Sequence, residues 1–346
     1  MDHIKIIKRA FQITLDYRAL WVFGIILALT AGTAGGNFSG GNTGDRGNGT
    51  QSGFWPGRID PQVVNTLIAV GVALCCLLIV FGIAALIGRY LAEVALIRMV
   101  NSYEETGEKV SVKQGFRLGW SRAAWRVFVI DLMIGLAAWV VVVLLMLVAA
   151  MPLLVWLTDS PPLQLIGTVT TIGLTLLFIT FVIIVAIVLN LLLKFIHRAC
   201  VLEDLAVIEA IKRGVLIVRQ RLGDVIIMAL IMFGLGLAWM IVMIPIALLL
   251  IAVGVIVAGL PALFAGMIAA LFFTQGAGPW IVAAVVGLPI FILILSVPSL
   301  FLGGLEQVFV STVWTLTYRE AAALAATQAE LPGEISSADD TASAEA

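Results

Sequence analysis

The sequence predicts an all-α, polytopic membrane protein: six transmembrane helices as three hairpins, each preceded by a cytoplasmic amphipathic helix. Three observations predict it. The 346 residues are 62% hydrophobic and 12% charged, with a mean hydropathy of +1.13. A soluble domain is about 45–50% apolar and about 25% charged, so this chain has too little polar surface to cover a water-exposed globule. The apolar runs are long and continuous rather than alternating, which points to helices and not to a barrel. Finally, the basic residues are segregated along the chain rather than spread.

The elements follow in order. Residues 1–20 are amphipathic, with Ile4, Ile7 and Phe11 at helical spacing beside Lys5, Lys8, Arg9 and Gln12. A first span covers about 19–35. Residues 35–60 are rich in Gly, Asn, Ser and Thr and read as a flexible extracytoplasmic loop. Further spans are expected at about 63–88, 127–157, 163–193, 225–258 and 280–304, since about 20 apolar residues cross a hydrocarbon core about 30 Å thick. Several are longer than that minimum and should tilt, or kink at Pro152, Pro245, Pro289 or Pro298. Residues 89–126 and 194–224 are charged cytoplasmic segments. The piece from Pro261 to Phe273 follows a break at Gly259-Leu260-Pro261 and is short for a span. It reads as an interfacial or re-entrant helix, with a seventh span as the alternative. Residues 1–325 form a single integral membrane domain, and the acidic, Ala/Ser-rich 326–346 reads as a disordered tail.

Orientation follows from the positive-inside rule. Four Lys or Arg precede the first span, seven lie in 89–126, six in 194–224, and Arg319 follows the last span. Only Arg46 and Arg58 fall in the Gly-rich loop. Eighteen of the twenty thus lie on one side, placing both termini in the cytoplasm. Gly32-Thr33-Ala34 resembles a signal-cleavage site, but twenty residues before the apolar run make a long n-region.

Three basic segments lead into outgoing spans: Ile7-Lys8-Arg9 through Trp21, Gln114-Gly115-Phe116-Arg117 through Trp125-Arg126, and Ile211-Lys212-Arg213 through Asp224. The repeat is one of pattern, a three-unit order of amphipathic helix, span out, span in. In the third copy Ile208, Ile211, Val215, Val218 and Leu222 form one stripe, with Glu209, Lys212, Arg213 and Arg219 off it. Such a helix lies at an interface, or packs on its own spans as an elbow. The basic residues expected to contact lipid or a partner are Lys8, Arg9, Arg117, Arg122, Arg126, Lys212, Arg213, Arg219 and Arg221.

Charge is costly at depth in a membrane, so each polar residue there is a site candidate. Arg89 and Glu93 are spaced for an i,i+4 pair, and Asp131 falls where it can pair with Arg126. Asn190, Lys194 and His197 share one face, and Glu306 closes the last span. All sit at the cytoplasmic ends of spans, where snorkelling explains long side chains. Cys75, Cys76 and Cys200 form neither a disulfide framework nor a zinc spacing. With two histidines, no nucleotide loop and no nucleophile–base set, the sequence predicts no cofactor, metal site, nucleic-acid partner or catalytic residue.

The stretch Ala199 to Gly214, with Val207-Ile208-Glu209-Ala210-Ile211-Lys212-Arg213-Gly214, and the closing Val313-Trp314-Thr315-Leu316-Thr317-Tyr318-Arg319-Glu320 resemble a bacterial family. It is the integral membrane domain fused to some glycerophosphoryl diester phosphodiesterases, with its uncharacterised stand-alone relatives. The catalytic barrel of those enzymes would need about 250 residues, and no soluble segment here approaches that. The resemblance therefore implies membrane architecture in a bacterial inner membrane and no activity.

The expected function is a non-enzymatic membrane protein whose amphipathic helices contact anionic lipid or a partner protein. The alternatives are a transporter or channel for a small or lipid-like substrate, and a lipid-headgroup enzyme using Glu93, Asp131, Glu203, Asp204 or Glu306.

Overall fold

The computed structural model describes residues 1–34, 61–157, 160–272 and 277–344, with side chains described for 1–30, 68–156, 160–272 and 277–327. The Gly-rich loop 35–60 lies outside the described residues. The described chain is helical without strands: α1 (His3–Asp16), α2 (Ala19–Ala34), α3 (Pro61–Thr106), α4 (Val112–Gly119), α5 (Arg122–Ala150), α6 (Pro161–Leu202), α7 (Val207–Gln220), α8 (Leu222–Phe272) and α9 (Gly278–Ala344). Five of these helices are long and apolar enough to cross a membrane, or six if α1 and α2 together count as one bent span.

Three units repeat the same order: a short amphipathic helix, a helix leading away, a helix leading back. The short helices start on side-chain caps in two units. Asp2 accepts from the Lys5 N–H at 3.2 Å, and Ser111 and Gln114 form a capping box on α4. All three end alike, with a cap N–H donating to the carbonyl four residues back: Tyr17 to Ile13, Trp120 to Phe116 and Arg221 to Ile217, at 3.0, 2.9 and 3.1 Å. The next helix begins within two residues. Between α1 and α2 the chain turns by 99°.

Each short helix is an elbow that docks on the returning helix of the preceding unit: α4 on α3, α7 on α6, and α1 on α9, which closes the ring. The returning helices α3, α6 and α9 all touch one another. A small residue makes each docking possible. Ala10 is fully buried. A Cβ on Gly115 would lie 2.5 Å from the Met99 sulfur, and one on Gly214 would lie 2.9 Å from the Ile196 Cα. Between α2 and α9 the approach is as close: a Cβ on Gly304 would stand 2.9 Å from the Ile25 nitrogen, the small-residue crossing common between membrane helices.

Burial is concentrated at one end. The most apolar windows of the long helices are at most 6% buried, so their shafts face outward. The buried side chains gather where the elbows sit, on Tyr90–Val100 of α3, Phe195–Val201 of α6 and Val308–Tyr318 of α9. Apolar shafts thus carry a packed head that holds the basic residues. This burial pattern suits a lipid-surrounded shaft and is the reverse of a soluble bundle.

The helices run past several expected boundaries. α3 continues through 89–106 and α6 through 194–202, so the charged segments begin as extensions of the spans. α8 is a single helix of 51 residues that passes through Pro245 and Pro261, about 76 Å at about 1.5 Å per residue. The expected break at Gly259-Leu260-Pro261 and the separate helix Pro261 to Phe273 are corrected accordingly. A Cβ added at Gly254 would lie 3.0 Å from the Phe291 and Leu295 side chains of α9, so close packing on α9 holds the helix where a proline removes one bond. α5 instead stops at Ala150, before Pro152, and 151–157 is a 3-10 segment. At the other end α9 runs to Ala344.

Candidate functional site

The polar centre of the head is built on His197 of α6, which is 7% exposed. Its Nδ1 lies 2.9 Å from Glu93 Oε1 of α3, and its Nε2 lies 2.8 Å from Asp131 Oδ1 of α5. The Tyr90 hydroxyl donates to the other oxygen of Asp131 at 3.0 Å. Tyr90 and Glu93 share a face because they are three residues apart on α3. A neutral imidazole carries one N–H and would set the lone pair of its other nitrogen against a carboxylate oxygen. An imidazolium donates to both.

The next residue of α6 extends the centre to α9. Arg198 is buried and donates to its own Lys194 carbonyl at 2.7 Å and to the Ser311 carbonyl at 3.2 Å. Its Nε is buried without a hydrogen-bond partner. The Lys194 ammonium stands 4.7 Å from the Trp314 ring. One turn of α6 therefore fastens α3 and α5 on one side and α9 on the other.

Several expected pairings are replaced. Glu93 bonds His197 rather than forming the local ion pair with Arg89. Asp131 bonds His197 and Tyr90, while Arg126 reaches across to Asp204, 3.0 Å from its carboxylate and 2.8 Å from its carbonyl. Asp204 can offer both groups because it turns the chain between α6 and α7 with φ of 50°, a left-handed conformation that Asp adopts more readily than most residues. Asn190, Lys194 and His197 do not act together: Asn190 is exposed on the shaft. Glu306 lies apart from all of them. Tyr90 and Arg198 extend the network and were not expected in it, while Asp204, expected only as a carboxylate of the enzyme alternative, pairs with Arg126. Among the described residues no group of three His, Cys, Asp or Glu is placed to hold a metal ion. Cys200 is buried in the head, and Cys75 and Cys76 are exposed on α3.

The nine basic candidates divide in two. Arg9 pairs with Glu104 at 2.8 Å, Arg126 with Asp204, and Arg213 with Glu203 at 3.1 Å. Arg221 donates to the Leu324 carbonyl at 3.2 Å. These four tie the head together. Lys8, Arg117, Arg122, Lys212 and Arg219 are exposed, and so is Lys113 on the second elbow.

The elbows are apolar on two faces, which corrects the expected stripe. α7 buries Ala210, Gly214, Ile217 and Val218. Ile208, Val215 and Leu222 of that stripe are exposed, together with Leu216. On α1 the buried face is Ile6, Ala10, Ile13 and Thr14, leaving Ile4, Phe11 and Leu15 exposed. The second elbow exposes Phe116 and Trp120, and Trp125 follows just inside α5. Packing goes to the face carrying the small residue because only there can the backbones approach.

An apolar cavity of about 690 Å³ opens between α1, α8 and α9, with Glu306 and Trp239 in its wall. Neither it nor the neighbouring polar cavity around Glu104 and Arg319 includes His197, Glu93 or Asp131 in its lining.

A family model, described as a family of unknown function (DUF7544), matches residues 8–322. The chain belongs to this family. The matched stretch runs from Lys8 on α1 to Ala322 on α9 and takes in all three units. No curated protein and no solved structure matches the chain.

Proposed function

We propose that this is a non-enzymatic bacterial inner-membrane protein with six spans and both termini in the cytoplasm. Its three elbows form a collar that engages anionic lipid of the cytoplasmic leaflet. One observation carries the reading. Each elbow spends its small-residue face on docking and leaves a second face outward, where exposed apolar side chains alternate with cations. These sets are Ile4, Phe11 and Leu15 with Lys8; Phe116 and Trp120 with Lys113 and Arg117; and Ile208, Val215 and Leu216 with Lys212 and Arg219. A surface of that kind suits the boundary between acyl chains and phosphates. Each cation near an anionic leaflet contributes about 1 kcal/mol.

Eighteen basic residues on one side support the orientation. α2, at 16 residues, serves as the first span with help from the bend into α1. The polar centre supports a structural role for His197, since both its ring nitrogens are engaged. The likeness to the membrane domain of glycerophosphoryl diester phosphodiesterases contributes architecture to this reading and no chemistry.

The test is lipid selectivity. Protein reconstituted in nanodiscs of mixed phosphatidylglycerol and phosphatidylethanolamine should enrich the anionic lipid. Reversing Lys8, Lys113, Arg117, Lys212 and Arg219 to Glu should abolish that enrichment with the fold intact. Equal retention of the two lipids by the wild type, or no effect of the reversal, overturns the proposal.

A further inference from the structure

We propose that the cavity between α1, α8 and α9 is a binding site for a hydrophobic organic cation, an amine or quaternary ammonium on an apolar body. One wall is the outward face of the first elbow, Ile4, Lys8, Phe11 and Leu15, which the lipid collar also uses, whereas Gly236 and Glu306 lie on α8 and α9 and separate the two readings. The cavity's volume of about 690 Å³ is within the range of about 300–1,000 Å³ typical of small-molecule sites. Its walls are apolar, with Ile7 and Phe11 on α1, Met232 on α8 and Phe309 on α9. Against that background the polar groups are few. Thr14 donates its hydroxyl to the Ala10 carbonyl of its own helix at 2.8 Å. Lys8 borders this cavity and also the neighbouring polar one, whose lining includes Asp2, Glu104 and Glu320.

That leaves Glu306 and Trp239. Trp239 of α8 lines the same cavity as Glu306 of α9. Among the described residues no Lys, Arg or His nitrogen forms an ion pair with Glu306, whereas Glu93, Asp131 and Glu203 of the head each have a cationic or hydroxyl partner. An acidic group in the wall of an otherwise apolar cavity, here at the end of the last span, is costly without a partner and marks a site. A carboxyl group and the face of an indole both favour positive charge. The rest of the wall favours an apolar body, and the site rejects an anion of equal size for the same reasons. Room for the ligand is visible at Gly236, which lines the cavity and where an added Cβ would meet nothing within 4 Å.

The experiment measures binding of tetraphenylphosphonium to the full chain in detergent micelles, with tetraphenylborate as the anion of matched shape. Saturable binding of the cation, at least tenfold tighter than the anion, is expected. Glu306→Gln should weaken cation binding by at least tenfold, and Glu306→Asp by less. Gly236→Phe should occupy the cavity and abolish binding without touching the charge, so the proposal stays testable if the Glu306 variants fail to fold. Equal binding of cation and anion would show a cavity that accepts any apolar body, such as a lipid tail, and overturns the proposal. So does cation binding that survives Gly236→Phe, or that is unchanged in a folded Glu306→Gln protein.

Discussion

Replacing His197 by Ala removes a group that bonds two carboxylates at once, so its cost can be worked from the geometry. The ring makes contacts of 2.9 Å to Glu93 and 2.8 Å to Asp131. Each is charge-assisted and contributes about 1.5–3 kcal/mol. Removing one partner of a buried pair costs about 3–5 kcal/mol, because the other charge is left uncompensated. The Glu93 and Asp131 side chains are 22% and 21% exposed. Water therefore offsets part of the loss, and about 3 kcal/mol is expected. Reversible unfolding by steric trapping in bicelles measures it. The triple variant Glu93→Gln, Asp131→Asn, His197→Gln removes the charges together and should lose less than His197→Ala alone. A loss below about 1 kcal/mol for His197→Ala, or strictly additive single effects in the triple variant, would refute the reasoning.

Other positions give separate readouts. Tyr90→Phe deletes one neutral-to-charged bond to Asp131 and should cost about 1–2 kcal/mol in the same unfolding assay. Gly214→Leu puts side-chain atoms where the Ile196 backbone stands 2.9 Å from the Cβ position; α7 should lift from α6, at a cost of about 1–3 kcal/mol and with faster proteolysis near Arg213. Gly304→Val should separate α2 from α9 in the same way, read as a lower melting temperature. At Asp204, with φ of 50°, Gly should be nearly neutral and Val should cost about 1–2 kcal/mol, whereas Asn should change little because the Asp204 side chain is 70% exposed.

The sequence made the fold class legible because composition and run length are properties that no tertiary contact can overturn. The three-unit order was also readable, since a basic amphipathic segment precedes each apolar pair. The polar centre was only half readable. Glu93, Asp131 and His197 were each conspicuous as ionisable groups near apolar runs. Their partners lie 104 and 66 residues apart along the chain, and spacing rules reach only one helical turn, which favoured Arg89–Glu93 and Arg126–Asp131. The elbows misled for a different reason. α7 carries apolar residues on two faces, and periodicity alone picked the larger side chains over the small face that packs. The proline at 261 misled because a breaker in water need not break a helix held against a neighbour in lipid.

The central claim is that three elbows lie together at one membrane boundary with their second faces in lipid. Spin labels at Phe11→Cys, Phe116→Cys and Leu216→Cys, in a background with Cys75, Cys76 and Cys200 replaced, test it by power saturation in liposomes. All three positions are exposed in the structure. The account predicts that oxygen relaxes every label more than a water-soluble nickel complex does, at one common shallow depth. Greater relaxation by the nickel complex at all three, or depths on opposite sides of the bilayer, would contradict it.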